Sequence, residues 1–270
     1  MPHIELNGAQ IWYKDTGEGD QTIVFAHGLL WSGEMFDDQV EHFKNRYRCV
    51  TFDFRGQGKS EVTDKGYDMD SLTLDAVELI RKLDCGPVHF AGLSMGGFVG
   101  MRLAIRHPDL LHSLILIETS ADPEPSENLF KYNVLKFVGR WFGFGLVASS
   151  IMPIMFGKTF MSDPERVSDR DRWRTALINN DRVGTTRAAS GTIGREGVFG
   201  DLGKIEAPTL IVVGEEDTAT VPEKAERMHA AIESSKLVYI EGAGHSSTIE
   251  KPEAVNSAVE EFLKEIDQDG

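Results

Sequence analysis

Two cysteines, Cys49 and Cys85, are all that this 270-residue chain contains. They are too few for a disulfide framework and lack metal-ligand spacing, so they read as reduced, buried residues of an intracellular protein. Basic residues are also scarce: 28 Lys and Arg stand against 43 Asp and Glu, a formal net charge of -15. Such a balance gives little to drive counterion release from a phosphate backbone, so a nucleic-acid partner is not expected. The acidic surface reads simply as a solvated one. There is no apolar run long enough to cross a bilayer. The uncharged stretch 141–157 holds 17 residues, short of the roughly 20 required, and is broken by glycines, serines and Pro153. It reads as a buried helical segment lining an apolar pocket, without stable membrane insertion. The first residues lack a basic segment followed by an apolar one, which predicts no signal peptide and a cytoplasmic location. No internal repeat and no low-complexity segment is found.

What is present is an alternation of apolar runs and amphipathic stretches, the pattern of an α/β protein with a mostly parallel sheet covered on both faces. Strands are expected at 3–6, 11–14, 22–26, 48–52, 87–93, 113–118, 209–213 and 236–240, the first two forming a hairpin across Asn7-Gly8. Helices are expected at about 35–44, 71–83, 95–106, 222–231 and 252–266. The strand pattern stops near 120 and resumes near 207. The interval 121–206 is too long for a loop and has helical patterning, so it is expected to be an inserted cap on a core formed by 1–120 and 207–270.

The motif that carries most information is Gly92-Leu93-Ser94-Met95-Gly96-Gly97. A G-x-S-x-G between a buried strand and a helix is a nucleophile elbow, a turn so tight that glycine is needed beside the serine, whose hydroxyl is then presented to substrate. Serine is a poor nucleophile at neutral pH and needs a base, itself oriented by a third group. Of the eight histidines, His245 stands apart, because Gly242-Ala243-Gly244 carries it out of the last strand to the carboxyl edge of the sheet. The orienting acid is expected after the strand at 209–213, where Glu215, Glu216 and Asp217 compete. Asp217 is chosen because it lies furthest past the strand, with the other two solvated. The chain order Ser94, Asp217, His245 is the one this arrangement requires.

Acyl transfer also needs backbone donors for an oxyanion. The strand at 22–26 runs into His27-Gly28-Leu29 at the same edge, so the amides of Leu29 and Met95 form the expected pair. His27 is expected to fix that loop by hydrogen bonds and not to transfer protons.

Taken together, Phe25-Ala26-His27-Gly28, Asp53-Phe54-Arg55-Gly56-Gln57-Gly58-Lys59-Ser60, the Ser94 elbow, Gly214-Glu215-Glu216-Asp217 and Gly242-Ala243-Gly244-His245 resemble the α/β-hydrolase superfamily over nearly the whole chain. The resemblance implies an eight-stranded sheet with a cap after the sixth strand, and the same triad and oxyanion donors. Within the superfamily the elbow and chain length look like the branch of small esterases, enol-lactonases, acyl-homoserine lactonases and cofactor-free perhydrolases. Gly58-Lys59-Ser60 ends like a phosphate loop, but Asp53 stands where the first glycine is needed, so a turn is expected and no nucleotide. Epoxide hydrolases and haloalkane dehalogenases resemble this fold but use an aspartate where this chain has Ser94.

The expectation is therefore a serine hydrolase acting on a small to medium, uncharged carboxylic ester, with a lactone as the alternative and a non-turnover ligand sensor as a remoter one. Neither cofactor nor metal is required. Trp31, Phe137, Trp141, Phe144, Met152, Met155 and Phe156 are the expected pocket residues.

Overall fold

The computed structural model describes residues 3–269. Eight strands form one sheet in the order β1-β2-β4-β3-β5-β6-β7-β8. They are β1 (His3–Leu6), β2 (Ala9–Asp15), β3 (Thr22–Ala26), β4 (Arg48–Phe52), β5 (Val88–Leu93), β6 (Leu111–Ile117), β7 (Thr209–Gly214) and β8 (Ser235–Ile240). All pairings are parallel except those made by β2, which is antiparallel to β1 and to β4. The hairpin turns on Asn7 and Gly8, whose φ of 46° and 76° are the positive pair a two-residue turn demands.

Alternation along the strands separates two cores. Val24 and Ala26 of β3 and Phe90 of β5 face α2 (Met69–Lys82), α3 (Met95–Arg106) and α9 (Pro222–Ala231). Ile23, Phe25, Ala91 and Leu93 face the other way, toward α1 (Asp37–Phe43) and α11 (Pro252–Asp269). Each fully buried Phe, Ile or Leu contributes roughly 1.5–3 kcal/mol of transfer free energy, so both layers are held mainly by these strand side chains. Asp68 caps α2 by accepting the amide of Ser71, which satisfies one of the free donors at its start. Cys49 and Cys85 are buried and unbridged, and burial pushes their thiols up to about 12 and about 11.

Between β6 and β7 the chain is helical: α4 (Ser126–Phe142), α5 (Ala148–Met155), α6 (Lys158–Ser162), α7 (Val167–Ile178) and α8 (Arg182–Ile193). Asp181 caps α8 through the amides of Val183 and Gly184. Phe144, Ile151, Met155, Phe156, Phe160 and Trp173 extend the second core upward from the sheet. The uncharged stretch 141–157 is split between the end of α4, a turn at Gly143 with φ of 94°, and α5. No helix is long and apolar enough to cross a membrane among the described residues.

Candidate active site

β5 delivers Ser94 with φ of 50°, a conformation L residues rarely hold. A Cβ on Gly92 would meet the carbonyl oxygen of Gly96 at 2.3 Å, and one on Gly96 would meet that of Ala26 at 2.0 Å. Both glycines are thus required for β5, α3 and β3 to meet at the elbow. The strained residue is held by its neighbours: its amide donates to Ile117 at 2.9 Å, while the Thr119 hydroxyl donates to its carbonyl at 2.8 Å.

The loop after β8 brings His245 over the elbow. Ser94 Oγ lies 2.9 Å from His245 Nε2, and His245 Nδ1 lies 2.8 Å from Asp217 Oδ2. The imidazole therefore donates from Nδ1 to the carboxylate and accepts from the serine at Nε2. Asp217 also accepts from the amides of Ala219 (2.7 Å) and Thr220 (3.0 Å) and from the Thr220 hydroxyl (2.7 Å). Burial alone would raise its carboxyl, but the electrostatic interaction with His245 and the hydrogen bonds from His245 and Thr220 outweigh burial and hold it well below the usual range.

At the same edge, neither the Leu29 nor the Met95 amide meets an acceptor among the described residues. The next amide, Leu30, is taken by Gln57 Oε1 at 3.0 Å. His27 is wholly buried; its Nε2 accepts from the Phe54 amide at 2.9 Å, and Nδ1 donates to the Gly28 carbonyl at 2.7 Å. It ties two loops together, as expected, and burial pushes its pKa down, so it stays neutral. Asp53 accepts the amides of Gly33 and Lys59, the turn role foreseen for that segment.

Several features lie beyond the sequence reading. Glu118, at the end of β6, is fully buried, and burial together with the negative charge of Asp217 raises its carboxyl far above the usual range. An acid closing the apolar run Leu114-Ile115-Leu116-Ile117 at the catalytic edge was the legible signal for it. Glu250 of α10 (Ser247–Glu250) accepts the amides of Gly157, Gly244 and Ser246 at 2.9, 3.0 and 3.1 Å. It joins the helical insertion to both sides of His245. Glu216, expected to be solvated, is half-buried and accepts the amide and hydroxyl of Thr159. Glu215 is exposed.

A cavity of about 900 Å³, counting its open mouth, rises from Ser94 and His245 between α4, α5 and α8. Of the expected pocket residues, Phe144 and Met155 line it. Trp31, Met152 and Phe156 do not; they are buried in the second core, where Trp31 packs on Trp173 and donates to the Ser246 hydroxyl at 3.2 Å. Phe137 and Trp141 are not inside either, being 57% and 65% exposed on the outer side of α4. The lining is also less uniformly apolar than expected, since Glu124, Tyr132, Lys136 and Arg195 take part. Arg195 is buried, its Nη1 donating to Glu124 at 3.0 Å and to the Thr192 carbonyl at 2.8 Å, with the guanidinium 4.1 Å from the Phe98 ring centre.

A tight strand-to-helix turn presenting Ser94 at the carboxyl edge of an eight-stranded sheet, with His245 returned over it by the last loop, agrees with the sequence pattern of the alpha/beta hydrolase family, which matches residues 23–258. The chain belongs to that family. As an alpha/beta hydrolase it is similar to 3-oxoadipate enol-lactonase 2 of Acinetobacter baylyi, 26% identical over 253 residues, with 93% of this chain and 92% of the relative aligned. Among solved structures, a malate-bound thermophilic esterase from Thermogutta terrifontis superposes with a TM-score of 0.90 at 28% identity, covering 98% of this chain and 99% of the other. An enol-lactonase from Burkholderia xenovorans gives a TM-score of 0.90 at 27% identity, covering 97% of this chain and 100% of the other.

Proposed function

We propose that this alpha/beta hydrolase cleaves small to medium carboxylic esters or lactones through an acyl-enzyme on Ser94. The observation that carries the reading is the continuous contact from Ser94 Oγ to His245 Nε2, at 2.9 Å, and from His245 Nδ1 to Asp217, at 2.8 Å. His245 takes the serine proton as Oγ attacks the carbonyl carbon, and Asp217 stabilises the imidazolium that forms. The free amides of Leu29 and Met95 receive the carbonyl oxygen as it becomes negative. The protonated imidazole then gives its proton to the departing oxygen, and the neutral ring activates water to release the acid.

Lactones remain a close second substrate class, favoured by the likeness to an enol-lactonase at a TM-score of 0.90. A lactone keeps its alcohol tethered after ring opening, so the two classes separate by rate. Acid release measured side by side on a short acyl ester and an acyl-homoserine lactone, with Ser94→Ala as blank, tests the proposal. Loss of about 10⁶ in kcat on Ser94→Ala is expected. A variant retaining a tenth of the activity removes Ser94 from the chemistry.

A further inference from the structure

The outer side of α4 presents an apolar stripe to solvent. Phe130, Val134, Phe137 and Trp141 are 81%, 45%, 57% and 65% exposed. At 100° per residue these four positions fall within an arc of about 60°. Tyr132, Leu135 and Lys136, which line the cavity, lie on the opposite side of the same helix. The stripe is therefore no part of the substrate pocket, and it continues into Phe142 and Leu146, 61% and 69% exposed. Six of the eleven exposed large apolar side chains among the described residues lie in this one segment, a concentration that marks an interaction surface.

The flanks are basic. Lys131 and Arg140 leave the helix about 90° to either side of the stripe, by the same helical count; Lys131 is exposed, whereas Arg140 is half-buried beside the Trp141 ring, with its Nη1 enclosed and unpartnered. No carboxylate pairs with Lys131, Lys136 or Arg140 among the described residues, and α4 carries a single acid, Glu127. Unpaired cations beside an aromatic ridge, on a chain of net charge -15, select a negatively charged apolar surface.

We propose that this face of α4 seats on an anionic lipid surface. The four stripe residues lie at the boundary between headgroups and acyl chains, the exposed Lys131 reaches the phosphates on one side, and the half-buried Arg140 adds its charge on the other. The acidic remainder of the chain does not prevent this approach, because charges further than about 8 Å from the lipid are screened at physiological salt. A second copy of the chain fits the face less well. Antiparallel α4 helices packed stripe to stripe would bring Lys131 of one copy beside Arg140 of the other, twice. The face lies on the outside of the helix that walls the cavity, so seating places the reaction site beside an apolar phase.

Cosedimentation with phosphatidylcholine vesicles, and with vesicles of equal parts phosphatidylcholine and phosphatidylglycerol, tests the proposal. Wild type is expected to bind the anionic vesicles and to release them as salt is raised. The exposed double variant Phe137→Ser with Trp141→Ser should weaken that binding by about tenfold or more, and Lys131→Glu with Arg140→Glu should abolish the anionic preference. Ser94→Ala should bind as wild type does, which separates this surface from acylation of Ser94 by lipid. Unchanged melting curves establish that the variants fold. The proposal is overturned if wild type ignores both vesicle types, if the variants bind equally well, or if sedimentation equilibrium finds a dimer that the Phe137 and Trp141 changes disperse.

Discussion

Glu118 turns both oxygens of its carboxyl toward one backbone amide, that of Gly214, at 2.8 and 2.9 Å. An ionised carboxylate offers about four acceptor sites, and this one sits wholly buried with Asp217 close enough to raise its pKa further. The two acids divide their roles by environment. Asp217, met by the imidazole and the Thr220 hydroxyl and amide, is held toward the ionised form, and burial beside Asp217 holds Glu118 toward the protonated one.

That division gives a pH signature. The folded chain holds the Glu118 proton more tightly than the unfolded chain does, so its contribution to stability is complete below the ordinary value of 4.5 and declines as pH rises toward the folded value. Glu118→Gln removes the decline. Relative to wild type, the variant should gain melting temperature as pH rises above about 4.5. Parallel curves across that range would show that Glu118 titrates normally. Asp217, with its lowered pKa, contributes in the opposite sense: its stabilisation is present above about 3.8 and is lost as pH falls below that value.

The pair formed by Arg195 and Glu124 should be unequal to its parts. Arg195→Met leaves Glu124 largely buried and without its cation, a change that costs about 3–5 kcal/mol. Adding Glu124→Gln removes the stranded charge, and most of the stability should return. Urea unfolding of the single and double variants provides the measurement; additive losses would mean that the pair does not act as a unit.

Gly96 should tolerate no side chain. With backbone oxygen 2.0 Å from where a Cβ would stand, Gly96→Ala must displace β3 or the start of α3, and activity should fall by at least about 10² because the attacking atom shifts by a sizeable part of an ångström. Gly200 meets nothing within 4 Å of its Cβ position, so Gly200→Ala serves as the control and should match wild type in both activity and melting temperature.

The sheet and the elbow were legible because their signals are local. A strand followed by Gly-x-Ser-x-Gly constrains φ within a few residues, and all eight expected strands occur with ends shifted by at most two positions. Ser94, Asp217 and His245 could be paired from chain order because each ends or follows a strand at the same edge of a parallel sheet. The pocket was not legible in this way. Phe137 and Phe144 are alike in sequence terms, yet Phe137 faces solvent, because α4 is rotated by its packing on α8, while Phe144, beyond the end of α4 at Gly143, lines the cavity. Trp31, an expected pocket residue, is enclosed instead by Trp173 and Phe156. Glu216 and Glu250 acquire partners only when distant backbone amides arrive, which no spacing rule anticipates.

The carboxylate of Glu250 has a consequence for chimaeras of this fold. Its Oε2 is shared between Gly157 of the helical insertion and Gly244 beside His245, so at this point one oxygen ties the two parts together. A transplanted insertion that closes well over the cavity but fails to present an N–H where Gly157 does would leave that oxygen with one donor in place of two. Interchange of substrate-binding segments between such hydrolases is thus limited by one backbone hydrogen as well as by the shape of the binding site.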